Sequence, residues 1–282
     1  MAQKVKKLFK TAFSNRNLRI GFVMLICLIL VAIFAEQIGG SDPKTIYDEV
    51  LAAPGEAGHL LGTDGLGRDL FALLIHGSRT SLLIGFVAAS ISAVVGTLLG
   101  GLSGYFGGKL DAVVNEIMNM FMMTPTFFLI LIIIALFGSS IINVMVVIGL
   151  TSWTGNARLM RAQAISIKQR TFVKSAKALG QKNIVILFKH IIPNGIFPII
   201  ANTTMNISSS ILTEAGLSFL GLGDPNVISW GQIIYSGKVY LPDSWWICTF
   251  SGVAIILTVY TFFMIGDGLN RVLSPKLSTL DQ

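Results

Sequence analysis

Charge is scarce in this sequence. Only 12% of its 282 residues are Asp, Glu, Lys or Arg, about half of what a soluble globular domain carries. With 53% of the chain hydrophobic, that shortage excludes an ordinary water-soluble domain and makes a bilayer the natural solvent. Cysteine is scarcer still. Cys27 and Cys248 both lie inside apolar runs, which excludes a disulfide framework and a metal site built on paired thiols; both read as small apolar fillers. No Gly-x-x-x-x-Gly-Lys-Ser/Thr loop is present. Gly108-Lys109 and Gly237-Lys238 lack both the upstream glycine and the following hydroxyl residue, so the chain is not expected to cradle nucleotide phosphates. His59, His76 and His190 have no metal-ligand spacing. No Ser–His–Asp or paired-carboxylate pattern is visible, so no catalytic residue, bound metal or cofactor is expected on this chain.

What remains is apolar and long. A hydrocarbon core about 30 Å thick needs roughly 20 apolar residues in a helix. Six runs approach that length: 20–38, 81–105, 114–137, 141–153, 191–210 and 245–265. The expected fold is an all-α integral membrane protein of six transmembrane helices in one compact bundle. The first run also has the basic-then-apolar order of a signal peptide. Its length and the lack of a small-x-small cleavage site before Gly39 favour a retained span.

Acid is missing from two segments, and this sets the topology. Residues 1–19 hold Lys4, Lys6, Lys7, Lys10, Arg16 and Arg19. The loop after the fourth run holds Arg158, Arg161, Lys168, Arg170, Lys174, Lys177, Lys182 and Lys189. Neither has an acid. The loop after the first run is the reverse, with Asp42, Asp48, Glu49, Glu56, Asp64 and Asp69 against Lys44 and Arg68. Short basic loops stay in the cytoplasm, so both termini are expected there, with the acidic loop and residues 222–244 outside. The net charge of +7 is not expected to serve nucleic acid, because the basic clusters flank apolar runs; membrane lipid is their natural neighbour.

Several features inside the runs suggest packing or function. Gly96, Gly100 and Gly104 repeat every four residues and share a helix face, the pattern for close helix approach within the subunit or against a partner. Pro125 is expected to kink the third run. Asn202, Thr203, Thr204 and Asn206 interrupt the fifth, so its polar side should meet helices or a water-filled path. Asn202, Asn206 and Glu214 are the substrate-path candidates, while Glu116, Glu214 and Asp267 are expected near span ends. Trp230, Trp245 and Trp246 would suit the outer interface. Asp64, Arg68 and Asp69 are expected to bridge one another or cap an external helix.

The basic loop from about 156 to 193 is patterned as a helix capped by Thr171 over 172–179, a left-handed corner at Gly180, and a second helical run over 183–188. Pro193 marks the entry to the next span. By charge alone, this loop fits either a cleft of a partner protein or an anionic lipid surface.

Ala176-x-x-x-Gly180, followed after nine residues by His190-Ile191-Ile192-Pro193, resembles the "EAA" loop of ABC importer permeases. Three further strings narrow the branch: Leu61-Gly62-Thr63-Asp64-Gly65-Leu66-Gly67-Arg68-Asp69; Leu217-Ser218-Phe219-Leu220-Gly221-Leu222-Gly223 with Ser229-Trp230-Gly231; and Gly266-Asp267-Gly268-Leu269 with Pro275. Together they resemble the second permease of dipeptide, oligopeptide and nickel importers. The resemblance implies a type I ABC importer permease fold, with residues 1–60 as tail, first span and start of the external loop. Residues 61–277 would be the permease core, and 278–282 a C-terminal tail. It further implies a bacterial cell membrane, a homologous permease partner, two ABC ATPase subunits carrying ATP and Mg, and an extracytoplasmic solute-binding protein. Peptide is the first choice of solute; nickel or a metal–chelator complex is the alternative. Lys174, Ser175, Ala176, Gly180, His190 and Pro193 fall in the ATPase-coupling loop, with Lys174 and Ser175 replacing the family's usual Glu and Ala. A stand-alone ion-coupled transporter would call for inverted repeats, which the sequence does not show. A membrane enzyme would call for a catalytic constellation.

Overall fold

A computed structural model describes residues 15–273. Lys4, Lys6, Lys7, Lys10, Pro275 and the 278–282 tail lie outside the described residues. The described chain is helical: α1 (Arg16–Ile33), α2 (Ala35–Ile38), α3 (Leu70–Phe106), α4 (Gly108–Met123), α5 (Thr126–Phe137), α6 (Ile141–Thr151), α7 (Trp153–Lys168), α8 (Thr171–Ala178), α9 (Asn183–Ile186), a π turn (Leu187–Ile191), α10 (Ile192–Phe219), α11 (Trp230–Gly237), a 3₁₀ turn (Lys238–Tyr240) and α12 (Trp245–Leu273). The only β pairing among the described residues is two isolated bridges, Ile46–Arg68 and Thr63–Asp69, in the loop before α3.

α3 is the axis. Its 37 residues span roughly 55 Å, well beyond a hydrocarbon core. Asp69 caps its start, with Oδ1 accepting from the Ala72 N–H at 2.9 Å. α6, α7 and α10 pack around it. α1 leans on α12, where Gly21 meets Ile265 and Gly268 meets Leu18. The exposed carbonyl end of α1 is held by Arg79 of α3, which donates to Ala32 O (2.6 Å) and Ile33 O (2.9 Å) and pairs with Glu36 (3.0 Å).

Among the described residues, four helices are long and apolar enough to cross a membrane: α1, α3, the 183–219 stretch ending in α10, and α12. α4 and α5 together make a fifth, but they meet at an 88° corner. The expected kink at Pro125 is thus a full break: Thr124 is extended before the proline, which cannot continue a helical ladder. The run 141–153 also differs from its expected single span. It stops at Ser152, giving an 11-residue α6, roughly 16 Å long, continued end to end by α7. So the fold class stands, while the six runs resolve into four spanning helices, one cornered pair and one short helix.

The fifth run begins earlier than its apolar content suggests. α9, the π turn and α10 are continuous, and Ile192 alone separates the π turn from Pro193. A π turn shifts the backbone register by one residue, which relieves the missing donor of a proline.

Candidate functional site

The basic loop is ordered by its own small core. Val173 and Ala176 of α8 turn inward onto Met160, Ala164, Ile167, Ile186, Leu187 and Ile191. Two polar ties root this core on the end of α3: Lys168 Nζ donates to Tyr105 O (2.6 Å), and the Tyr105 hydroxyl donates to Asn183 Oδ1 (2.8 Å). α8 ends as its sequence implies. Gly180 has φ +77°, its N–H donates to Lys177 O (3.0 Å), and the Gln181 N–H reaches back to Ala176 O (3.2 Å), a glycine-based helix terminator. Its start differs: Thr171 is already helical, and the capping position is Arg170, with no side-chain bond.

The predicted loop residues therefore divide. Ala176 is 6% exposed and belongs to the chain's own core. Lys174, Ser175 and Gly180 face outward with Phe172 and Leu179, and Leu179 is 82% exposed. His190 Nε2 lies 2.9 Å from Gln181 Oε1, bracing the corner, and His190 O accepts from Asn194 Nδ2 at 2.6 Å. Pro193 sits in the first turn of α10. Sequence reading missed Leu179; its signal is a large apolar side chain next to the terminating glycine in a basic loop.

The loop is connected to the membrane through α7. A β-carbon on Gly96 would collide with Trp153 O and Asn156. On Gly100 it would meet the Ala157 backbone, and on Gly104 the backbone of Arg161. The glycine row is thus used inside the chain, seating α7 on α3. Arg161 adds a bidentate bond to Asp111 at the start of α4 (2.7 and 2.8 Å).

Where α6 meets α7, a buried polar hub joins three helices. Ser92 Oγ of α3 donates to Ser152 O (2.9 Å) and accepts from Asn156 Nδ2 (3.2 Å) and Asn206 Nδ2 (3.5 Å). Asn202 Nδ2 of α10 donates to Asn156 Oδ1 (2.9 Å). Asn156 is fully buried. Asn202 and Asn206, read as path candidates, are half-buried and spend their amides on this hub. Buried polar groups that satisfy one another fix a unique helix arrangement.

Glu214 lies near the C-terminal end of α10, as expected, but is shut away from solvent. It is 4% exposed within α10, and its Oε1 accepts from Ser218 Oγ and Ser229 Oγ, both at 2.7 Å. Ser229 Oγ also accepts from the Gln232 N–H (3.2 Å), capping α11. Glu214 thereby clasps α11 against the spanning helix. Lys238 closes the other end of α11 by donating to Phe219 O (2.7 Å). Asp267 bonds Arg271 (2.9 Å) and Asn17 (3.3 Å). Glu116 lies on an exposed face of α4.

The segments before α3 and after α10 are tied down by side-chain bonds. Asp64, 1% exposed, pairs with Arg68 (2.6 Å) as expected, and Asp69 contacts His59 Nδ1 (2.7 Å); the helix that Asp69 caps is the spanning α3 and not an external one. Asp224 Oδ2 accepts from the Ile141 N–H (3.0 Å), joining the external turn to α6. Partial burial pushes its carboxyl up most strongly, but bonds from the Asn226 N–H, the Ile141 N–H and the Asn226 side chain together hold it below the ordinary aspartate value. Of the three tryptophans expected at the interface, only Trp245 is exposed. Trp230 and Trp246 are core, because their indole N–H groups find Leu74 O (3.0 Å) and Thr63 O (3.3 Å).

Comparison with known proteins places this arrangement. Residues 96–279 match the family described as binding-protein-dependent transport system inner membrane component. The chain is 37% identical to a probable D,D-dipeptide transport system permease protein of Escherichia coli strain K12, over 90% of this chain and 86% of that relative. It is 35% identical to a dipeptide transport system permease protein of Alkalihalophilus pseudofirmus, over 97% and 90%. Its fold resembles a chain of the inward-facing MetNI methionine ABC transporter, with a TM-score of 0.57 at 21% identity, covering 71% of this chain and 96% of that one.

Proposed function

We propose that this chain, which belongs to the family of binding-protein-dependent transport system inner membrane components, forms half of a peptide translocation path and couples it to ATP hydrolysis through α8. Members of that family are multi-pass transport subunits of ABC importers, in which another subunit hydrolyses ATP; this chain is accordingly a permease and not an ATPase.

The observation that carries the coupling role is the outward face of α8. Phe172, Lys174, Ser175, Leu179 and Gly180 project from a loop locked to α3 and α7. A large apolar residue 82% exposed beside lysines is a poor surface in water and a good knob for a cleft. A push on α8 passes through its small core into α7, and from α7 through the glycine row and the asparagine hub into α3 and α10. In this reading a homologous permease completes the path. Two ATPase subunits holding ATP and Mg dock on the coupling loops, and a solute-binding protein delivers from outside. ATP binding draws the two coupling helices together and turns the path outward; hydrolysis resets it. Each ligand biases a two-state equilibrium by its differential affinity. The basic loop lies in the cytoplasm of a bacterial cell, with both termini on that side of the cell membrane. Peptide is the solute class, supported by the names of the dipeptide permeases that this chain resembles over most of its length.

Leu179→Asp tests the coupling role. In the purified complex it should abolish ATPase activity stimulated by the binding protein and leave the melting temperature of the permease unchanged. Full stimulation in the variant would refute docking through α8.

A further inference from the structure

α7 backs onto α3 and is flanked by α4 on one side and α10 on the other. Trp153, Ala157 and Arg161 serve the α4 side, whereas Asn156, Met160 and Ile167 serve the α10 side. The side of α7 opposite α3 is open: Gly155, Arg158 and Ala162 line it at helical spacing and are all exposed. A β-carbon on Gly155 would touch only Asn202 Nδ2, at 3.7 Å. Toward the outside, Phe127 of α5 reaches across to Gly216 of α10. α4, α7 and α10 therefore form a trough, with α7 as its floor.

Arg158 stands on that floor. Arg68, Arg79, Arg161 and Arg271 each hold a carboxylate at 2.6, 3.0, 2.7 and 2.9 Å. Arg158, like Arg16, Arg19 and Arg170, has none among the described residues; its guanidinium rests against the Met122 sulfur of α4. A guanidinium is built for bidentate contact with an oxyanion, and a thioether is a weak acceptor. Asn119 shares the exposed part of α4.

We propose that Arg158 is a binding residue for a carboxylate group of the transported solute, received in the trough between α4 and α10. The proposal rests on the importer reading above and adds a chemical requirement to the path: the solute carries a carboxylate that trades places with Met122 on the guanidinium. An anionic lipid headgroup offers related oxyanion chemistry and is distinguished by the test.

The test uses the complete importer complex in detergent, with Cys27 and Cys248 replaced by alanine and Ala162→Cys introduced one turn from Arg158. The probe is dialanine at millimolar concentration, compared with dialanine amide, and the readout is the rate of labelling by a water-soluble thiol reagent. Cys replacement at 162 should be labelled readily. Dialanine should slow labelling about tenfold, the worth of one charge-assisted pair, while the amide should not. Arg158→Gln should abolish the difference and Arg158→Lys should retain part of it. An unreactive position 162, equal protection by both probes, or protection that persists in Arg158→Gln would overturn the proposal. So would protection by added anionic phospholipid but not by dialanine, which would assign the site to a headgroup. ATPase stimulation by the binding protein, measured on the same samples, separates the two claims: if it is intact while labelling fails, only Arg158's role falls; if it is absent from the unmodified complex, the importer reading falls.

Discussion

Gly100 of α3 lies so close to Ala157 of α7 that a single β-carbon there would overlap the Ala157 carbonyl. Through this contact the helix that leads into the basic loop is seated on the axis of the bundle. Gly100→Ala should cost about 1–3 kcal/mol, as overpacking does, and lower the melting temperature of the purified chain. Gly101→Ala is the control: its nearest neighbour would be Ile192 Cγ1 at 3.5 Å, ordinary contact. Helix propensity should leave that variant neutral or slightly stabilised. Equal melting temperatures for the two variants would contradict tight α3–α7 packing.

Glu214 and Ser229 make a second prediction. Glu214→Gln keeps an oxygen acceptor for both serine hydroxyls and should cost at most about 1 kcal/mol. Glu214→Ala strands both hydroxyls and leaves a void, costing about 2–4 kcal/mol. A double-mutant cycle with Ser229→Ala should show coupling of about 1 kcal/mol. Additive losses would mean that the clasp between α10 and α11 does not bear on stability.

Much of this was legible in the sequence, and the exceptions have physical causes. Long apolar runs and the four-residue glycine spacing report directly on bilayer and helix geometry, so the long spans and a close approach at the glycine face could be read, though not that α7 is what the face meets. The left-handed corner at Gly180 was legible because few residues but glycine tolerate it. The break at Ser152 was not, since serine is compatible with helix and only the hub around Ser92 and Asn156 exploits the interruption. The depth of Glu214 was hidden because its partner Ser229 lies across a turn. The resemblance places Ala176 in the coupling loop without telling its facing; in so short a helix the three-residue spacing of Val173 and Ala176 turns both inward.

Asp224 gives a pH prediction. Its folded carboxyl lies below the ordinary value of 3.8. It therefore stabilises the fold above the unfolded pKa and loses that contribution as pH falls through 3.8 and below. Acid titration of the melting temperature should be shallower in Asp224→Asn than in the parent chain over that window. Identical acid profiles would show that the bond to the Ile141 N–H does not couple the turn to α6.

Gly180→Pro addresses the corner. Proline cannot adopt φ +77° and has no N–H for Lys177 O. The variant should insert and assemble its membrane helices, because the corner lies outside them, yet lose solute uptake. Normal uptake would remove α8 from the coupling route.

The most direct test of the whole account is to purify the tagged chain from its native membrane and assay what comes with it. Co-purification of a second permease and an ATPase, with ATP hydrolysis stimulated by a solute-binding protein, is the predicted result. A chain that purifies alone and still transports solute into vesicles without ATP would contradict it.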